Sequence, residues 1–339
     1  MMSETNRPTN AVLQLYLFGI GGVGSELISQ LGAQRGALLA NEGVELQLAA
    51  VATSQWMRVD PNGLGFEGRD TQQNGSEPVN LDRLLAELER TSGPRVVIDA
   101  TASNEVPALY ERMLASGASV VTANKLGLAG PMASFERIAR GRTFYETTAG
   151  AGLPVVDTLL SLVRTGDRVE RIEGVFSGTL GFLFHELRRG TPLSDALETA
   201  QRRGYTEPDP NEDLSGSDVA RKLLILARTA GHALEPEAIE VESLVPLRDS
   251  LESRFREATS RGETLCYLAS FEHGRGRVGL ASVDPSHPAA SVTGTDNVFA
   301  FTTARYSDSP LVIRGSGAGT AVTAAGLFAD ILKAWRELS

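Results

Sequence analysis

Apolar and polar positions follow two different rhythms along this chain. In its first half, short apolar runs at 12–18, 46–52, 95–100, 119–122 and 143–146 predict strands. Between them, apolar positions spaced three and four apart predict helices over 25–35, 81–90, 105–115 and 132–140. Asn80 stands at the N-cap of the second helix and Pro131 just ahead of the fourth. Strand–helix alternation of this kind packs as a parallel sheet with helices on both faces. The stretch 54–79, rich in Gly, Asn, Gln and Asp, breaks the rhythm and reads as a long surface excursion.

Beyond Gly152 the rhythm changes. A helix is predicted over 154–164, a strand over 169–177, and helices over 180–189, 193–203 and 217–230. Strands follow at 265–271, 277–283, 298–303 and 311–314, then a final helix over 321–337. This mixture predicts an α+β unit, with a boundary near residue 147.

Composition removes several function classes. The net charge is −10 and no basic stripe stands out, which excludes a nucleic-acid surface. The apolar run that follows the polar N-terminus is too short to span a bilayer and ends in glycines. It has neither the basic start nor the cleavage site of a signal peptide, so no membrane partner and a cytoplasmic location are expected. The single cysteine, Cys266, has no intrachain partner and reads as a small buried hydrophobe in a strand. His185, His232, His273 and His287 are scattered without metal-ligand spacing, which disfavours a metal-dependent hydrolase.

The first strand runs into FGIGGVG, with Gly19, Gly21 and Gly24 in G-x-G-x-x-G spacing around Gly22 and Val23. In a strand–turn–helix context this spacing serves a dinucleotide. The first glycine allows the turn, the second admits the pyrophosphate, and the third lets helix and strand pack closely. The helix N-terminus then offers its open N–H groups to the phosphates. The acid that usually follows the second strand and binds a ribose 2′-hydroxyl is absent from VATSQWMR. Ser54 and Arg58 offer a 2′-phosphate partner instead, which favours NADP over NAD, although Arg58 fits a surface charge equally well. The fold class that results is α/β. A Rossmann-type dinucleotide-binding domain over 1–147 precedes a second α+β domain over 148–314.

Of the 32 basic residues only three are lysine: Lys125, Lys222 and Lys333. Lys333, on the final helix, lies in no motif and reads as a leftover of composition. The other two sit in motifs, and a lysine, unlike an arginine, can shift its pKa and pass a proton. In GYTEPDPNEDLSGSDVARK, Glu207, Asp209, Glu212, Asp213 and Asp218 crowd ahead of Lys222. Asp218 and Lys222, four apart, share one face of a helix capped by Ser215 or Ser217. Carboxylates beside one ammonium suit a small zwitterionic substrate.

FGIGGVG, TANK, YETTAGAGLPV, FSGTL, GYTEPDP, DLSGSDVARK and GAGTAVTAAG together resemble the homoserine dehydrogenase family, in family order across 18–326. The resemblance implies NAD(P)-dependent interconversion of L-aspartate 4-semialdehyde and L-homoserine by a homodimer, with 148–314 as the substrate-binding, catalytic and dimerisation domain and 315–339 completing the dinucleotide-binding domain. It assigns the proton transfer to Lys222, oriented by Asp218, and places Lys125 between nicotinamide and substrate. It gives Glu207, Asp213, Thr179 and Tyr205 to the substrate, and Thr101, Ala102 and Gly319 to the cofactor along with the glycine loop. It also implies a monovalent cation such as Na⁺ or K⁺ at Glu146, Ala149, Ala151 and Leu153, a segment that alone reads as a glycine-rich hinge. The kinase and C-terminal regulatory modules of some relatives have no counterpart in the sequence, so threonine feedback through such a module is not expected. A dehydrogenase for another amino-acid semialdehyde and a non-catalytic NADP sensor are the competing readings. The sensor predicts loss of the pocket lysines or of the TEPDP carboxylates, and all are present.

Overall fold

The computed structural model describes residues 11–66, 75–206 and 209–338. These form two compact units, one drawn from 1–128, 133–145 and 320–339, the other from 129–132 and 146–319.

The first unit follows the alternation. Its elements are β1 (Ala11–Phe18), α1 (Gly22–Glu42), β2 (Val44–Ala52), β3 (Trp56–Leu64), β4 (Glu77–Pro78), α2 (Leu81–Arg90), β5 (Arg95–Asp99), α3 (Tyr110–Ala115), β6 (Ser119–Thr122), α4 (Met132–Arg140) and β7 (Thr143–Phe144). The sheet order is β4-β3-β2-β1-β5-β6-β7, parallel from β2 to β7. Strands β5 and β6 are buried along their whole length, as central parallel strands must be. Leu27, Ile28 and Leu31 of α1 share one core with Leu327, Ile331 and Trp335 of the C-terminal helix Thr320–Leu338. Asn80 caps α2 by accepting from the backbone N–H of Arg83 at 2.9 Å. From β1 the chain turns one way to β2 and later crosses to the opposite side for β5. That reversal opens a crevice at the carboxyl ends of the strands.

Two expectations fail here. The described part of 54–79 is not an excursion: β3 runs antiparallel to β2 and β4 antiparallel to β3, extending the sheet, with Met57 buried, while 67–74 lie outside the described residues. Its glycine and polar residues hide β3 because a strand so near the sheet's edge takes its order from the neighbours it pairs with. The strand expected at 143–146 ends at Phe144, and Glu146 opens the second unit instead.

The second unit contains α5 (Thr147–Gly150), α6 (Val156–Arg164), β8 (Val169–Val175), α7 (Gly178–Arg188), α8 (Leu193–Arg202), α9 (Pro210–Leu214), α10 (Ser217–Thr229), β9 (Ile239–Val241), α11 (Arg248–Ser260), β10 (Thr264–Glu272), β11 (Arg275–Val283), β12 (Asp296–Thr303) and β13 (Leu311–Ser316). Its sheet runs β13-β12-β8-β10-β11-β9, antiparallel except for β9 beside β11. The sequence reading missed α11. Its 13 residues are mostly polar, and a narrow stripe of Leu251, Phe255 and Ala258 is what it buries. It also missed α9 and β9.

Candidate active site

In the first unit the glycine spacing is explained atom by atom. Gly19 has φ +93°, and a Cβ there would lie 2.8 Å from the carbonyl oxygen of Ala100. A Cβ on Gly24 would lie 1.9 Å from the carbonyl oxygen of Gly19, so the third glycine packs directly on the first. Gly21, the N-cap of α1, has nothing within 4 Å of its Cβ position and makes no side-chain cap. The backbone there is open to a ligand, and the helix dipole favours an anion. At Gly22 a Cβ would meet the methyl of Thr320 at 2.9 Å. Val23 lies half-buried in the first turn of α1.

A cleft of about 510 Å³ opens over this loop, lined by Gly19 to Gly21, Ala52 to Ser54, Val79, Leu81 and residues 100–103, with Glu105 and Val106. It lies at the reversal of strand order. Ser54, Thr101 and Ala102 line this cleft, whereas Arg58, on β3 opposite Val51, is not among the described lining residues. Glu105, which the sequence reading passed over, is an acid in this cleft.

A buried hydrogen-bond cluster stands behind the cleft. Asp99, 0% exposed at the end of β5, accepts from the backbone N–H and hydroxyl of Thr101 at 2.8 and 2.7 Å. Its other oxygen accepts from Tyr110 Oη at 2.6 Å and Asn124 Nδ2 at 3.1 Å. Burial raises the Asp99 pKa, and these hydrogen bonds pull it back. Burial, and then the adjacent carboxylate, hold the Tyr110 hydroxyl well above its ordinary range. Lys125 follows Asn124 directly, on the loop after β6.

In the second unit, α9 and α10 meet at Gly216. This residue, with φ +75°, is the N-cap of α10, which overturns the expected cap by Ser215 or Ser217. A Cβ there would lie 2.0 Å from the hydroxyl of Tyr267, so packing and backbone both require glycine. From this start α10 buries Val219 and then every residue from Lys222 to Thr229. Lys222 Nζ donates to the carbonyl oxygen of Phe176 at 2.7 Å and lies 3.0 Å from Asp218 Oδ2. The lysine side chain is 11% exposed and the aspartate 47%, so the pair is buried at one end and open at the other. Phe176 itself is held by stacking on Phe299 at 4.5 Å.

The other substrate candidates gather near α7. Ser177 caps that helix by accepting from Leu180 N. Thr179, buried in its first turn, donates to the carbonyl oxygen of Tyr205. The Tyr205 ring is exposed and meets Phe182 edge-on at 5.2 Å. Asp209 caps α9, and Asp213 lies half-buried within it. Glu207 falls outside the described residues.

The expected cation loop has a definite structural duty. Glu146, 4% exposed, accepts from the backbone N–H groups of Val155 and Val156 at 2.6 Å each and of Asp157 at 2.9 Å. It thereby caps α6 from a distance in sequence. Ala151 holds a positive φ of 54°, and the Leu153 carbonyl accepts from Val155 N. Among the described residues no three His, Cys, Asp or Glu side chains converge as metal ligands. Gly319 takes φ +124° in the turn before the C-terminal helix.

Known proteins give these features a setting. A family model described as homoserine dehydrogenase matches residues 154–332, and one described as homoserine dehydrogenase, NAD binding domain, matches 19–142. The chain is 39% identical over 349 residues to a bifunctional aspartokinase/homoserine dehydrogenase of Haemophilus influenzae, covering 95% of itself but 43% of that protein. It spans less than half of the bifunctional relatives it matches. It is 34% identical to the homoserine dehydrogenase of Saccharomyces cerevisiae, covering 96% of itself and 99% of that protein. A Candida auris crystal structure of unknown function superposes with a TM-score of 0.88 at 30% identity, over 97% of this chain and 99% of that one.

Proposed function

This chain belongs to the homoserine dehydrogenase family, and we propose that it interconverts L-aspartate 4-semialdehyde and L-homoserine with a nicotinamide cofactor. The observation that carries the reading is Lys222, buried on α10 between the Phe176 carbonyl and Asp218. The first unit supplies the nucleotide site. The glycine loop and the open N-terminus of α1 suit a pyrophosphate, and Thr101, Ala102 and Ser54 line the same cleft. No acid stands after β2, and Ser54 favours the phosphorylated cofactor, NADP.

When bound, the reduced nicotinamide supplies hydride to the aldehyde carbon. As negative charge develops on the carbonyl oxygen, Lys222 gives it a proton, and in the reverse direction takes the proton back. Asp218 and the Phe176 carbonyl aim the ammonium, so its direction is set before the substrate arrives. Lys125 stabilises the same oxygen. Glu207 and Asp213 hold the substrate ammonium, and Thr179 and Tyr205 complete its pocket. A Na⁺ or K⁺ ion in the 146–153 loop would be held by backbone carbonyls of Ala149, Ala151 and Leu153 with Glu146. These are oxygen ligands suited to a hard cation, and the ion would brace the loop.

The chain is read as a cytoplasmic homodimer acting on a small molecule. No helix among the described residues is long and apolar enough to cross a membrane. The edge strand β13 leaves Val312 42% exposed, as a partner strand or sheet would require.

The deciding experiment incubates the protein with L-homoserine and NADP or NAD and follows reduced-nicotinamide absorbance. Turnover with homoserine well above that with other hydroxy amino acids is expected, faster with NADP. Absence of turnover with both cofactors overturns the reading. Faster oxidation of a different hydroxy amino acid reassigns the substrate. Light scattering on the eluted protein tests the dimer.

A further inference from the structure

Asp99 is a carboxylate in an unusual setting: wholly buried, and bonded only to neutral groups among the described residues. Buried acids are ordinarily paired with a cation. This one instead spends its acceptor capacity on two loops. One is the stretch after β5, whose residues 100–103, with Glu105, line the nucleotide cleft. The other follows β6 and carries Lys125.

The bonds fix a charge pattern. One oxygen faces the backbone N–H of Thr101, which can only donate. The other faces Asn124 Nδ2, whose orientation is set independently. Asn124 Oδ1 accepts from Leu126 N at 3.0 Å, and Asn124 Nδ2 also donates to the Ser103 carbonyl at 2.7 Å. Both oxygens of residue 99 must therefore accept, which a carboxylate does and a carboxamide does not. Asn124 closes the link by reaching from the lysine-bearing loop to Ser103 in the cleft-lining loop. Tyr110 approaches from α3 and is also bonded to Thr122 at 2.7 Å, away from the cleft.

We propose that Asp99 is a positioning residue for the cofactor. Acting through Thr101 and Asn124, it holds the cleft-lining loop and the Lys125 loop in one fixed relation. It touches neither cofactor nor substrate. The proposal rests on the reading of the cleft as the nucleotide site.

The test titrates reduced nicotinamide cofactor against the full chain by fluorescence and measures homoserine turnover separately, for wild type, Asp99→Asn and Tyr110→Phe. Asp99→Asn places an N–H against either Thr101 or Asn124. It is expected to weaken cofactor binding about tenfold and to lower kcat by about the same factor, with the KM for homoserine little changed. Tyr110→Phe is expected to lower Tm while leaving cofactor affinity and kcat close to wild type. Unchanged binding and kcat in Asp99→Asn overturn the proposal. So does an equal loss in both variants, which marks a purely structural role. If Asp99→Asn does not fold, Asn124→Ala carries the test: weakened cofactor binding supports the proposal and wild-type binding overturns it. If wild type binds cofactor but does not oxidise homoserine, the functional reading fails while the binding comparison still decides this point.

Discussion

Lys222 Nζ lies 2.7 Å from the carbonyl oxygen of Phe176 and 3.0 Å from the carboxylate of Asp218. The two acceptors are of different kinds. The carbonyl belongs to a residue clamped in the core by aromatic stacking, so it sets a fixed direction. The carboxylate is one turn back on the same helix and half open to solvent, so it adds charge without sealing the site. Together the two acceptors fix where the ammonium sits.

Lys222→Arg should preserve charge and much of the packing but remove a group able to release its proton. The expected result is a fall in kcat of about 10²–10⁴-fold, with the KM for homoserine changed far less. Steady-state kinetics decide it, and near-normal kcat would take Lys222 out of the proton transfer.

Glu146→Ala should destabilise the second unit through its helix. Three backbone N–H groups at the start of α6 lose a charged acceptor. The expected cost is at least about 1.5–3 kcal/mol, read from the denaturant midpoint. Glu146→Gln keeps a carboxamide oxygen in place and should lose less. If the alanine variant unfolds like wild type, the capping role is wrong.

Gly216→Ala should be harmful for two separable reasons. The added methyl overlaps the Tyr267 hydroxyl, and the residue sits at φ +75°. Combining it with Tyr267→Phe removes the overlap but leaves the backbone strain of about 1–2 kcal/mol. Tyr267→Phe also loses the hydrogen bond from Tyr267 Oη to the Glu242 carbonyl oxygen, so it serves as the reference. Urea denaturation should show Gly216→Ala costing less in the Tyr267→Phe background than in wild type, and an equal cost in both would locate the whole penalty in the backbone.

Glu173, buried on β8, should make stability depend on acid pH. Burial alone would raise its pKa, but hydrogen bonds from His287 and Arg171 outweigh it and hold it below the ordinary 4.5. A depressed folded-state pKa gives stabilisation that is present above the unfolded value and lost as pH falls through the folded one. The Tm of wild type should drop on acidification from about pH 5 to about pH 3 more steeply than that of Glu173→Gln. Parallel curves would show that the carboxylate contributes nothing.

Much of this protein is written locally. The glycine spacing of 19, 21 and 24, the Asn80 cap and the four-residue offset of Asp218 and Lys222 each depend on neighbours a few residues away, so pattern reading finds them. Most strands of both sheets were legible for the same reason, since the buried parallel strands of the first unit and the longer antiparallel strands of the second each leave a local apolar pattern. What stayed hidden depends on partners distant in sequence. The β3 strand is ordered by pairing with β2. The α11 helix is held by three apolar residues that mean little until something covers them. Gly216 must be glycine because of Tyr267, and Glu146 acts on a helix that begins ten residues later. The Asp99 carboxylate was invisible as a hub because its donors come from three separate segments that only the sheet brings together. Periodicity and turn chemistry thus determined the elements and the motifs, while the placement of each buried polar group was decided by folding, because its partners are chosen by proximity in space and every buried charge must find them.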